Sequence, residues 1–162
     1  MTDSLPHALA FAQSLLSHRA DAEDIVHDCY ERLLTKSGLY DLPRDGTKLL
    51  LKSIANASIN FVQRRRTCTS LGVQEAAEPT HQSDTDPYRG AIHRELETAI
   101  AHALAALPVN QRAVVELRSL GHSLLEVADM LDISHANARV LLHRARTQLA
   151  DALAPYLEEN VT

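Results

Sequence analysis

Residues 121–140 read GHSLLEVADMLDISHANARV, and this stretch decides the fold. Gly121 opens it, a residue that can close a preceding helix without steric cost. Ser123 stands three residues before Glu126, the spacing at which a hydroxyl and a carboxylate cap a helix start reciprocally. Ala128 is small where two helices must approach closely, Leu131-Asp132-Ile133 makes a turn, and Ile133 plugs the space between them. Ser134 then caps a second helix whose early side chains, His135, Asn137, Ala138 and Arg139, are expected to face outward. That is the pattern of a helix-turn-helix. A recognition helix enters the major groove by its N-terminal end, so hydrogen-bonding and cationic residues belong there. His143, Arg144 and Arg146 continue a basic stripe suited to phosphates. Ser123 and Ser134, at the two helix starts, complete the set expected at the duplex.

Working back along the chain, Ile92, Leu96, Ile100 and Leu104 recur every fourth residue up to Leu107-Pro108, which marks one amphipathic helix. Pro108 fits the first turn of the next, which reaches Leu120. Upstream again, residues 67–87 lose all periodicity: Thr, Ser, Gln, Glu and Asp dominate, and Gly72, Pro79 and Pro87 punctuate. This composition predicts a flexible linker. The first 66 residues read as three helical stretches. Leu5 to His18 is apolar on one side. Asp21, Glu23 and Asp24 open the second, where acids complement the helix dipole, and Ile25, Val26, Cys29 and Leu33 follow at helical spacing. A polar loop with Pro43 and Gly46 precedes a third helix, from about Thr47 to Arg66. The expected architecture is all-α: a helical unit over residues 1–66, a linker over 67–90, and a helix-turn-helix unit over 91–162.

The composition agrees. Of 162 residues, 45% are hydrophobic, 4% aromatic and only five are Gly, which favours helix packing over a β-sandwich. A net charge of −5 argues against coating nucleic acid by bulk electrostatics, yet allows a reader whose positive charge is local. Cys29 and Cys68 have no metal-ligand or redox spacing, and the nine His are scattered, so no metal site and no cofactor is expected. No phosphate loop or nucleophile elbow appears, and an enzyme is not expected. With no leader pattern and no apolar run near the ~20 residues of a membrane span, the expected location is cytoplasmic.

Leu107-Pro-Val-Asn-Gln-Arg112, Gly121, Ser123, Glu126-Val-Ala, Leu131-Asp-Ile-Ser and His143-Arg-Ala-Arg resemble the promoter-reading C-terminal domain of bacterial sigma factors. The small extracytoplasmic-function (ECF) class is the best match. The first half agrees in order and length. Asp21-Ala-Glu-Asp-Ile-Val-His-Asp28 is similar to the family's helix that docks on RNA polymerase, which implies polymerase-binding roles for Asp21, Glu23, Asp24, Ile25 and Asp28. Residues 49–66 resemble its promoter-opening helix, which implies contacts to the −10 strand from Lys52, Asn56, Asn60, Gln63, Arg64, Arg65 and Arg66. Leu49 replaces a frequent aromatic there, Asn60 the usual acid and Gln63 an Arg; Tyr40 and Phe61 are the nearest aromatic candidates. The resemblance implies three partners: core RNA polymerase, promoter DNA and an anti-sigma factor. The helix-turn-helix alone also admits a stand-alone DNA-binding regulator.

Overall fold

In a computed structural model the described residues are 4–69 and 91–158, and they form seven α-helices and one 3-10 turn. The amino-terminal half comprises α1 (Ser4–Leu15), α2 (Arg19–Thr35), a 3-10 turn at Ser37–Leu39, and α3 (Leu42–Thr69). The second half comprises α4 (Ala91–Ala106), α5 (Val109–Ser119), α6 (Leu124–Met130) and α7 (His135–Glu158). The all-α expectation holds. Most of the linker expected over 67–90 lies outside the described residues.

Helix boundaries follow from local chemistry. In α2, Ala22, Val26, Cys29 and Leu33 are buried at steps of four, three and four, so one stripe faces α1 and α3. The third helix starts five residues before the expected Thr47 and runs three past Arg66. Pro43 sits in its first turn, where no intrahelical N–H is needed, and Gly46 is buried without breaking it. Its buried positions, Leu50, Leu51, Ile54, Ala55 and Ser58, recur at spacing four and line the amino-terminal core.

The second half is built around α7, which packs on α4, α5 and α6. Pro108 precedes the first turn of α5, whose Val109, Ala113, Val114 and Leu117 point inward. Gly121 ends this segment at φ +95°, a conformation that a side chain would strain.

The two halves do not stand apart. Helix α5 lies against α1 and α3, and α6 against α3. One apolar cluster runs from Phe11, Leu15, Leu50 and Ile54 through Val114 and Leu117 to Val127, Met130 and Leu131. Helical units this small bury a modest share of their surface, and the shared core adds to what each buries. Arg112 fastens the same junction: its guanidinium donates to the Ser14, Ala105 and Leu107 carbonyls at 3.0, 2.6 and 2.8 Å.

Candidate nucleic-acid interface

The helix-turn-helix is held by two caps. Ser123 Oγ accepts from the Glu126 N–H at 3.2 Å, while the Glu126 carboxylate accepts from the Ser123 N–H at 2.8 Å. Ser134 Oγ accepts from the Asn137 N–H at 3.1 Å and starts α7. Between them the chain turns at Asp132, whose φ of +53° is the left-handed conformation that Asp tolerates better than most residues. The Ile133 N–H closes the turn on the Ala128 carbonyl at 3.0 Å, and the Ile133 side chain packs against the core. Both serine hydroxyls are therefore used as cap acceptors. They sit at the helix starts and remain exposed.

On α7, His135, Asn137, Arg139, His143, Arg144 and Arg146 are all exposed. At 100° per residue, His135, Arg139, His143 and Arg146 fall within an arc of about 80°, a single stripe along the helix. Ala138 does not join them. It is fully buried, like Ala145 one heptad on, because its small side chain lets α7 approach the rest of the domain. The expectation that Ala138 faces outward is corrected accordingly: this residue positions the helix, and its neighbours face solvent.

The α3 residues divide. Asn60, Gln63, Arg64, Arg65 and Arg66 are exposed toward its C-terminal end. Arg65 pairs with Asp21 at 3.0 Å and lies over the Phe61 ring, 5.7 Å from its centroid. This pair ties α3 to the acidic start of α2. Lys52 and Asn56 behave otherwise. Lys52 Nζ donates to the Asp129 carbonyl at 3.1 Å and pairs with Asp132 at 3.3 Å. Asn56 Nδ2 donates to the Met130 carbonyl at 2.9 Å and to the Lys52 carbonyl at 3.0 Å. One turn earlier, Lys48 pairs with Glu126 at 3.3 Å. Sequence reasoning found Lys52 and Asn56 but missed Lys48, Asp129 and Asp132, since nothing local reveals partners more than 70 residues away.

On α2, Asp24 and Asp28 are exposed, Ile25 packs partly against the core, and Glu23 pairs with Arg19 at 2.7 Å. At the loop before α3, Leu39 is 77% and Tyr40 46% exposed, a solvated apolar tip.

The family profile described as "Sigma-70, region 4" matches residues 97–149, from within α4 into the second half of α7. The ECF RNA polymerase sigma factor SigM of Mycobacterium tuberculosis is 31% identical over 159 residues, covering 96% of this chain and 74% of its own. The chain belongs to the ECF RNA polymerase sigma factors. SigW of Bacillus subtilis is 23% identical over 147 residues, with 86% of this chain and 79% of the relative covered. SigE of Mycolicibacterium smegmatis is 27% identical over 149 residues, covering 91% of this sigma factor, which spans 58% of the length of SigE. Among solved structures, the sigma factor RpoE of Bartonella quintana, in complex with the anti-sigma factor NepR, has the same fold. The TM-score is 0.69 at 21% identity, covering 93% of this chain and 92% of that one.

One titration bears on this sigma factor's helix-turn-helix. The Ser123 backbone N–H and hydroxyl, then the Lys48 ammonium, hold the Glu126 carboxyl down from 4.5 to about 2. A carboxyl with a depressed pKa in the fold contributes stability that is present above its unfolded value and lost as pH falls through its folded one. Stability of the cap and of the Lys48 contact is therefore expected to decline between pH 4.5 and about 2. In Glu126→Gln that component of the acid limb should vanish. Acid titration of helicity by circular dichroism checks this, and identical acid limbs in the two proteins would refute it.

Proposed function

We propose that this sigma factor directs core RNA polymerase to chosen promoters through two contacts with DNA. The observation that carries the reading is the exposed stripe of His135, Arg139, His143 and Arg146 at the start of the second helix-turn-helix helix, with Asn137 and Arg144 beside it. These residues read the upstream (−35) duplex in the major groove. Arg139, early on the helix, supplies a bidentate donor pair, and the later basic residues meet phosphates. Ser123 and Ser134, at the two capped helix starts, lie where a backbone phosphate would approach.

Lys52, Asn56, Asn60, Gln63, Arg64, Arg65 and Arg66 engage the −10 strand as it opens, and the exposed Leu39-Tyr40 tip offers an unstacked base an apolar surface. Asp24 and Asp28, with Asp21, Glu23 and Ile25 on the same helix, hold residues 1–66 on the polymerase; residues 91–162 are the upstream reader, joined through residues 67–90. Acidic residues on a partly apolar helix suit a basic partner surface, chiefly through steering. The sigma factor supplies specificity in the cytoplasm, and the polymerase does the chemistry. An anti-sigma factor, the partner named for the Bartonella protein, is proposed here also.

Run-off transcription with bacterial core polymerase on pooled promoter fragments tests the reading. Discrete core-dependent start sites that vanish in Asp24→Ala are expected. If the protein shifts a specific duplex alone and never redirects polymerase, it is instead a stand-alone helix-turn-helix regulator.

A further inference from the structure

The line of α7 that points furthest from the rest of the domain is neither of its polar flanks. Ala138 is fully buried, and at 100° per residue Ala136 and Val140 each lie about 160° around from it, one on either side of the diametrically opposite point. Arg139 and His143 border this ridge on one side, Asn137 and Arg144 on the other. Both ridge residues are exposed, and Val140, at 44%, is the exposed large apolar side chain among the described residues of α7. A lone exposed valine is ordinary on a protein surface. This one stands in the second turn of the recognition helix, on its outermost line, between two sets of hydrogen-bonding and cationic side chains.

A helix that enters a major groove carries its outermost line deepest, between the base edges. Alanine and valine offer those edges no hydrogen bond. Purine N7 and O6 or exocyclic amino groups pressed against them would lose water without gaining a partner. One group in the major groove is apolar, the 5-methyl of thymine. We infer that Val140, with Ala136 beside it, selects thymine in the upstream element by packing on this methyl group, while the polar flanks hold the helix in register. The inference rests on the duplex-reading role proposed for α7 and adds a base preference to it. The −35 element contains at least one A·T pair, with its thymine methyl against Val140.

Deoxyuridine lacks only the methyl group of thymidine, so paired changes in protein and DNA isolate the contact. Holoenzyme formed from the full chain and bacterial core polymerase first selects active promoters from a library randomised over the −35 region. Each thymidine of the selected element is then replaced singly, on either strand, and initiation is measured by run-off transcription. With the wild-type chain, deoxyuridine at one position should lower initiation about three- to fivefold, the worth of one buried methyl group. Val140→Ala should lose a similar factor on the thymidine promoter and be indifferent to deoxyuridine at that position. Alanine is the better helix former and Val140 is exposed, so this variant keeps its fold. Val140→Asn should shift the selected base there from thymine to adenine, which pairs with an amide through two hydrogen bonds. A selected element without an A·T pair overturns the inference. So does deoxyuridine that changes nothing at any position, or an effect that persists undiminished in Val140→Ala. If Arg139→Ala then loses initiation on the same promoters, the reading face of α7 stands and only the valine contact falls; if it keeps full activity, the failure lies in the proposed reading face itself.

Discussion

Replacing Arg112 with alanine should lower the folding stability of the chain by about 3 kcal/mol, the largest loss expected from any single polar side chain here. The guanidinium reaches three carbonyls at or just past helix ends at 3.0 Å or less, Ser14 in the first half and Ala105 and Leu107 in the second, with Leu15 more distant at 3.5 Å. Such carbonyls have no donor within their own helices, and removing the arginine leaves them without one in a partly buried junction. Each hydrogen bond to a charged group is worth about 1.5–3 kcal/mol, and partial exposure brings the sum down. Burial also pushes the Arg112 pKa below its ordinary value, a desolvation that only good hydrogen bonding offsets. The melting temperature should fall by roughly 6–12 °C. Arg112→Lys should recover less than half, because one ammonium cannot span the fork that a guanidinium fills. Thermal and urea denaturation of the three proteins measure this. A loss below about 1 kcal/mol for the alanine variant would mean that water replaces the arginine at the junction.

Arg139→Ala should act on transcription and leave the fold alone. Arg139 is exposed on α7, so its truncation costs little stability. A base contact of the kind proposed is worth about 1–3 kcal/mol, which translates into a five- to 150-fold loss of core-dependent initiation at cognate promoters. Lysine at the same position should restore salt-dependent phosphate attraction without the bidentate geometry, and so recover only part of the rate. The comparison is made by run-off transcription on one promoter, with circular dichroism showing equal helicity. Full activity in Arg139→Ala would move the reading face to the other flank of α7, where Asn137 and Arg144 lie.

Much of this protein could be read before any coordinates. The Ser123–Glu126 spacing, the Ser134 cap and the stop at Gly121 are short-range chemistry, complete within four residues, and each appears in the structure where the sequence places it. The stripe of Val26, Cys29 and Leu33 is likewise a property of one helix and its period. The start of α3 was missed because Pro43 and Gly46 read as breakers, whereas a first-turn proline costs a helix nothing and a buried glycine is tolerated by packing.

Ala138 shows where local reasoning ends. Its position near the start of a recognition helix suggests an outward side chain, but the side a residue presents is set by what α7 packs against. The same holds for Lys48, Lys52, Asn56 and Arg112. Their residue types mark them as donors, and the sequence by itself determined that they seek oxygen acceptors. Which acceptors they find was decided only by tertiary structure, because Lys52 and Asp129, 77 positions apart, are brought into contact by burial of a shared apolar core. Hydrophobic burial is non-directional and pattern-readable, so the helices and their inward stripes are legible one at a time. The pairing of helix α3 with the end of α6 depends on how two such stripes meet, and that information resides in neither segment alone.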